Sequence, residues 1–85
     1  MLEKDVVIAV DPGLQARPAA QFVQKANSFT SEIFIEKDNK RINAKSIMGL
    51  MSLALSKGNT IKIITDGSDD QEALDELVNF VAGKK

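Results

Sequence analysis

The strongest constraint on the fold is that the hydrophobic pattern of these 85 residues switches repeatedly between the two-residue period of strands and the period of helices. Strand-like segments occupy 5–10, 32–37, 40–44 and 60–65, whereas helical spacing begins at Ala16, Ser46 and Ser68. The predicted element order is therefore β-α-β-β-α-β-α. Because no linker, internal repeat or low-complexity segment divides the chain, we expect one domain over residues 1–85.

The strand-like segment 32–37 indicates how the layers of the fold are arranged. Its side chains alternate, so that Glu32 and Phe34 share one face while Ile33 and Ile35 share the other. A sheet with this pattern packs one face against helices and leaves the other face in water. We therefore predict an open-faced, two-layer α+β sandwich with helices on one face of a mainly antiparallel sheet, and a hairpin turn at 38–39.

The last helix carries the clearest helical signals. Ser68 and Gln71 match a capping box, and Asp69, Asp70 and Glu72 would complement the positive end of the helix dipole. Lys84 and Lys85 would lie at its negative end. We expect the buried stripe to comprise Leu74, Leu77, Val78 and Val81.

Composition restricts the chemistry that the chain can perform. Histidine and cysteine are absent, so the common transition-metal sites and the commonest acid–base catalyst are unavailable, and we expect no metal, cofactor or catalytic residue. Eleven basic residues face twelve acidic ones, which argues against binding nucleic acid directly through a basic face. No segment has the pattern of a membrane span or an export signal, so a cytoplasmic location is the expectation.

The segment 13–22, GLQARPAAQF, has the form of an anion-binding corner, because a glycine turn leads into a helix start with an arginine and a proline. Its central side chain is the amide of Gln15, which is neither acid, base nor nucleophile. Arg17 is either a solvated side chain or a ligand for an anion. The corner is therefore predicted to bind and not to react.

The second helix, predicted over 46–58 and ended by Gly58, is apolar around more of its circumference than one buried face requires. Either both sides are buried, or Leu50, Leu53 and Ala54 face the core. In the second case Ile47, Met48 and Met51, which lie on the adjoining side with Leu55, form an exposed docking patch.

Ser46 stands at the predicted N-cap of this helix. It is either a cap alone or a phosphorylation site, where a phosphate would meet the free N–H groups of the first turn. Such a modification would place a strong anion beside the patch with little change of fold.

The sequence resembles the HPr family, the small phosphocarrier proteins of the bacterial sugar phosphotransferase system, in three segments that read GLQARPAAQFV, NAKSIMGLMSLALSKG and ALDELVNFV. The resemblance covers essentially the whole chain. It implies a four-stranded antiparallel sheet with three helices, and two phosphorylation positions: a histidine in the first segment and a serine in the second.

The chain departs from the family at the first of these positions, where it has Gln15. An imidazole with a pKa of about 6.5 can accept and release a phosphoryl group, whereas the lone pair of an amide nitrogen is held in resonance. The retained serine without the histidine resembles the catabolite-repression branch of the family.

For this branch the resemblance implies phosphorylation of Ser46 by the HPr kinase/phosphorylase. It then implies action as a corepressor of the LacI-type catabolite control transcription factor. The implied partner-binding residues are Gln15, Arg17, Ala20, Ile47, Met48 and Met51.

Other interpretations remain open at the level of sequence. Arg17 and Asn43 could serve an acylphosphatase-like enzyme, or the patch could bind and regulate a metabolic enzyme without a transcription factor. The N-terminal strand lies next to the DPG segment at 11–13, a geometry that also permits a homodimer by strand exchange.

Overall fold

The computed structural model describes residues 1–83. It contains four strands and three helices in the predicted order: β1 (Leu2–Val7), α1 (Ala16–Asn27), β2 (Glu32–Lys37), β3 (Lys40–Asn43), α2 (Ile47–Ser52), β4 (Thr60–Asp66) and α3 (Asp70–Val81). The strands form one antiparallel sheet in the order β1-β4-β2-β3, with the helices packed on one face. The predicted open-faced α+β sandwich is confirmed.

The core lies between the sheet and the helices. Ile33 and Ile35 of β2 are buried on the helix side, beside Ile61 and Ile63 of β4, while Glu32 is exposed on the open side. The helices contribute Ala19, Phe22, Ala26, Leu50, Ala73, Leu74, Leu77 and Val81. The alternation predicted for 32–37 is therefore the alternation that separates core from solvent.

The hairpin between β2 and β3 closes where the sequence predicts. Asp38 and Asn39 both adopt the left-handed conformation, with φ of 51° and 66°, and Lys37 pairs with Lys40. Two consecutive left-handed residues give the turn a twist that matches the twist of the flanking strands. The turn brings β3 back along β2 and so delivers the chain to α2.

The predicted position of the first strand is wrong by three residues: β1 occupies Leu2–Val7, whereas the sequence predicts 5–10. It is an edge strand that pairs only with β4, and edge strands tolerate charged side chains such as Glu3 and Asp5. The apolar run continues past the strand because Ile8 is buried, where its N–H donates to the Asn59 carbonyl at 2.8 Å.

The second helix is shorter than predicted, ending at Ser52 and not at Gly58. Ala54 adopts a left-handed conformation with φ of 50°, and the chain then pairs with Gly13 through Ser56. Leu55 is therefore buried although it lies in an extended segment outside the helix. The expectation that Ala54 faces the core is wrong, since it is exposed. The sequence predicts a longer helix because an additional helical turn would place Leu55 on the same apolar side as Ile47, Met48 and Met51.

The capping box predicted for α3 is not formed. The N-cap is Asp69, whose carboxylate accepts hydrogen bonds from the backbone of Thr30 and Ser31, both at 2.9 Å, and from the Ser31 hydroxyl. Ser68 also turns to Thr30. The side chains of Ser68 and Asp69 thus tie the start of α3 to the residues just before β2. The predicted buried stripe is present, although Val78 is half-buried, and the Lys84 and Lys85 prediction lies outside the described residues.

Candidate functional site

Ser46 sits at the N-cap of α2, as predicted, and is exposed to solvent. Its backbone is extended, and its Oγ accepts a hydrogen bond from the Gly49 N–H at 3.2 Å. The hydroxyl oxygen therefore caps the helix as an acceptor while the residue stays exposed. A kinase can reach this hydroxyl without unfolding the domain.

The apolar surface that follows Ser46 is divided sharply between core and solvent. Leu50 is fully buried, whereas Met48 is 80% exposed, Met51 is 57% exposed and Ile47 is 38% exposed. The interpretation in which both sides of the helix are buried is therefore wrong. Ile47, Met48 and Met51 form an exposed apolar patch, which we call the α2 patch.

The corner before α1 is held by close backbone contacts, which we call the corner seam. Gly13 has φ of 125°, and a Cβ placed on it would lie 2.4 Å from the Leu55 carbonyl oxygen. The Leu14 N–H donates to that same oxygen at 2.9 Å, and the Lys57 N–H donates to the Pro12 carbonyl at 3.2 Å. Only glycine allows the two segments to approach this closely.

Gln15 lies at the N-cap of α1 but its side chain does not cap the helix. Its Nε2 instead donates to the Leu55 carbonyl at 3.4 Å and to the Ser56 Oγ at 3.3 Å. The next residue, Ala16, adopts a left-handed φ of 52°. The amide thus joins the start of α1 to the segment after α2, a role in packing that the sequence did not reveal.

Arg17 and Ala20 are both exposed near the start of α1. Arg17 forms no ion pair with the other residues within 1–83. The binding role of Arg17 stays a prediction.

The two ends of α1 contact opposite ends of the α2 region. Gln15 at its start bonds to residues after α2, and Asn27 at its end bonds to the Lys45 carbonyl before α2 at 3.2 Å. The helices therefore run antiparallel along one face. At a rise of 1.5 Å per residue, Ser46 and the corner lie about 18 Å apart along α1, with the α2 patch between them.

The same geometry separates the pair considered for an acylphosphatase. Arg17 lies in the first turn of α1, whereas Asn43 lies at the Asn27 end, where its Oδ1 accepts from the Lys45 N–H at 2.9 Å. The two residues are therefore about 15 Å apart along the helix. This arrangement does not build a shared phosphate site.

Over residues 1–83, no cluster of acidic side chains is suited to hold a metal ion. No helix in that range has the length and apolar character needed to cross a bilayer. The features that remain on this face are a hydroxyl, an arginine, an amide and an apolar patch, which together suit recognition.

Sequence reasoning missed the residues that hold Ser46 in place. Asn27 reaches from the end of α1 to the Lys45 carbonyl, Lys45 reaches from the segment before α2 to the Phe29 carbonyl, and Ser56 supports Gln15. These contacts join residues that are separated by 16 to 41 positions in the sequence, so no local sequence pattern predicts them. The only local signal was Asn43, whose bond to Lys45 is a turn that asparagine commonly forms.

Comparison with known proteins identifies the family of this site. The family model described as "PTS HPr component phosphorylation site" matches residues 2–83. The HPr-like protein Crh of Halalkalibacterium halodurans is 64% identical over 81 residues, which cover 95% of this chain and 96% of that protein.

Two crystal structures show the same fold. Phosphocarrier protein HPr from Bacillus anthracis superposes with a TM-score of 0.93 at 57% identity, covering 94% of this chain and 95% of that one. Crh of Bacillus subtilis superposes with a TM-score of 0.81 at 54% identity, covering 100% of this chain and 98% of that one, and is described as a dimer with a swapping domain.

Proposed function

Because this chain belongs to the HPr family, we propose that it is an HPr-like regulator of carbon catabolite repression that cannot act as a phosphohistidine carrier. The observation that carries the proposal is the exposed Ser46 hydroxyl beside the exposed α2 patch, in a chain without histidine. Gln15 occupies the corner and offers no nucleophilic nitrogen for a phosphoryl group. The protein is not an enzyme; it acts by binding.

The switch in this proposal is phosphorylation of Ser46 by the HPr kinase/phosphorylase. The kinase forms a bond from the Ser46 Oγ to the γ-phosphorus of ATP, the hydroxyl proton leaves, and ADP departs. The product carries about −1.5 to −2 charges beside the α2 patch. Such a charge next to an apolar surface favours a partner that presents basic groups around an apolar groove.

The partner in this proposal is the LacI-type catabolite control transcription factor, for which the phosphorylated protein acts as corepressor. The interface comprises the phosphate on Ser46 and the α2 patch, with Gln15, Arg17 and Ala20 at the far end of the same face. Arg17 would meet an acidic group of the partner. The chain itself makes no direct contact with DNA and none with a membrane.

The test is a binding titration of this transcription factor with the unmodified protein, the Ser46-phosphorylated protein and a kinase-treated Ser46→Ala variant. We expect phosphorylation to tighten binding by at least about tenfold, and Ser46→Ala to behave as unmodified protein. Ser52→Ala is the matched control, because Ser52 is an exposed serine at the other end of α2. Equal binding by both forms overturns the corepressor role, and binding of a metabolic enzyme by the unmodified form alone would favour the adaptor alternative.

A homodimer by exchange of the N-terminal strand also belongs to the proposal. Its support is that β1 is an edge strand, joined to the rest of the chain by residues 8–15, and that the Bacillus subtilis relative is described as a swapped dimer. Exchange would preserve the pairing of β1 with β4 while moving it between chains. Light scattering after prolonged concentration should reveal a slowly relaxing dimer; a strict monomer at all concentrations contradicts it.

A further inference from the structure

The segment that carries Ser46 is fixed by side chains that lie outside the proposed binding face. Asn27, the last residue of α1, donates through Nδ2 to the Lys45 carbonyl at 3.2 Å and to the Val23 carbonyl at 2.9 Å. Its amide therefore bridges the last turn of α1 and the residue immediately before Ser46. A bond to each side holds the two segments at one separation.

Lys45 anchors the same segment from its other side. Its Nζ is part-buried and donates to the Phe29 carbonyl at 2.8 Å, beyond the end of α1. Its side chain is thereby directed towards the α1–β2 connection. The Lys45 N–H donates in turn to the Asn43 Oδ1 at 2.9 Å, and the Ser46 N–H donates to the Asn43 carbonyl at 3.1 Å.

These bonds leave residues 43–46 little freedom. The N–H and C=O groups of Lys45 and the N–H of Ser46 all have protein partners, and Ala44 is fully buried. Ordering a free segment of this length costs about 1–2 kcal/mol per residue, so the folded domain has met this cost before a kinase binds. The Ser46 hydroxyl therefore has a fixed position relative to the rest of the domain before a kinase binds.

We infer that Asn27 and Lys45 are positioning residues for phosphorylation of Ser46: they hold the acceptor hydroxyl through the backbone of residues 43–46 and do not contact the kinase chemistry themselves. This inference rests on the proposed function. It assigns the α2 patch to docking and the Asn27–Lys45 contacts to alignment of the hydroxyl. Loss of alignment lowers kcat, because a displacement of about 1 Å at a reacting group can cost on the order of 100-fold in rate.

The variants that test this inference each remove one side-chain donor: the Asn27 amide, which makes two of these hydrogen bonds, or the Lys45 ammonium, which makes one. Asn27→Asp keeps the shape of the side chain but replaces the donor with an acceptor, and Lys45→Met keeps the apolar stem but removes the ammonium. Lys45→Arg retains a donor and serves as the rescue variant. Ser28→Ala is the matched control, since it removes a 2.6 Å bond to the Lys25 carbonyl at the same end of α1 without touching residues 43–46.

The experiment is steady-state phosphorylation of each full-length variant by the HPr kinase/phosphorylase with ATP, on protein shown by urea unfolding to be folded. We expect Asn27→Asp and Lys45→Met to lower kcat about tenfold with KM within twofold of wild type. Lys45→Arg and Ser28→Ala should stay within twofold in both constants. Met48→Ala should instead raise KM, because Met48 belongs to the α2 patch.

The outcomes separate this inference from the function on which it rests. A wild-type chain that the kinase does not label overturns the proposed function, and the inference with it. If the kinase labels the wild type, and Asn27→Asp and Lys45→Met have the same kcat as the wild type, the inference alone is overturned. A fall that Ser28→Ala shares also overturns it, because the cause would then be general loosening of the end of α1.

Discussion

The two ends of α1 meet the rest of the molecule in different ways. At its start, the corner seam is a contact between backbones, in which Gly13 lies against the Leu55 carbonyl and leaves no room for a single carbon. At its end, the segment before α2 is held by the side chains of Asn27 and Lys45, and beyond it the α2 patch is open to water. The corner is therefore rigid and intolerant of change, whereas the α2 patch can change without loss of the fold.

The corner and the start of α2 also differ in the side chains that they present. Gln15 is linked to Leu55 and Ser56, so the corner retains its shape although it lacks a group that can carry phosphate. Ser46 keeps both its exposure and its cap. In the proposed function, these two places are the unreactive end and the modifiable end of one binding face.

The largest effect should follow from adding one carbon to the corner seam. Gly13→Ala places a Cβ 2.4 Å from the Leu55 oxygen at a φ of 125°, so we expect a loss of about 4 kcal/mol in the free energy of unfolding. Gly58→Ala is the matched control, because Gly58 has φ of 97° but nothing within 4 Å of an added Cβ, and it should cost about 1–2 kcal/mol. Urea denaturation measures both; equal losses would mean that close approach does not define the corner.

The next effect compares neighbouring apolar residues of α2. Leu50→Ala removes a fully buried side chain and should destabilise the fold by about 3 kcal/mol, whereas Met48→Ala should change it by less than about 0.5 kcal/mol. For binding to the transcription factor, Met48→Ala should have a large effect although it has little effect on stability. Phosphorylated Met48→Ala should bind the transcription factor about tenfold more weakly than phosphorylated wild type, since exposed apolar anchors become buried in interfaces. Unchanged affinity in a titration would remove the α2 patch from the proposed interface.

A third effect concerns pH and the junction of α3 with β2. The hydrogen bond from the Ser31 hydroxyl, followed by that from the Thr30 N–H, lowers the pKa of Asp69 from 3.8 to about 2. A carboxylate with a lowered pKa stabilises the fold fully above pH about 4, and this contribution is lost as the pH falls through about 2. The unfolding midpoint of the wild type should therefore fall as the pH is lowered from about 4 to about 2.

Variants at this junction sharpen the pH comparison. Asp69→Asn should flatten the acid slope, and Ser31→Ala should flatten it in part by removing the largest cause of the shift. Thr30→Ala should have the smallest effect, because the Thr30 N–H remains and its hydroxyl contributes least. If Asp69→Asn kept the wild-type slope, another carboxylate would be responsible.

Within the corner, the smallest loss of stability is expected at Gln15 itself. Its two hydrogen bonds are long, at 3.4 and 3.3 Å, and the side chain is partly exposed, so Gln15→Ala should cost about 0.5 kcal/mol. Asn59→Ala offers a comparison, because the Asn59 Oδ1 accepts from the Ser56 N–H at 2.9 Å in the same region and should cost more. A loss above 2 kcal/mol for Gln15→Ala would show that the amide, and not the backbone, holds the corner.

The sequence predicted what depends on local periodicity and failed where distant backbones meet. The alternation of Glu32 to Lys37 located β2 to the residue, and the Asp38–Asn39 turn was correct. The end of α2 was wrong because Leu55 keeps helical spacing while lying in an extended segment. The start of β1 was missed because an edge strand carries charges that hide its pattern.

The candidate site shows the same division. Exposure of Ile47, Met48 and Met51 was predictable as one of two interpretations, because the apolar arc of the second helix is wider than one buried face requires. The supports of that site were not, because Asn27 and Lys45 act through hydrogen bonds to backbone carbonyls far along the chain. Side chains that bind a distant backbone leave no periodic trace in a sequence.

The central claim is that this chain accepts phosphate at the start of α2 and not at the corner, and a pair of labelling reactions tests it most directly. With ATP and the HPr kinase/phosphorylase, we predict one phosphate per chain, located on Ser46 by mass spectrometry. With phosphoenolpyruvate and the general energy-coupling enzyme, we predict none, while Gln15→His, which supplies the missing imidazole, is labelled. A phosphate acquired by the wild-type chain from phosphoenolpyruvate, or from ATP at a residue other than Ser46, would contradict the account.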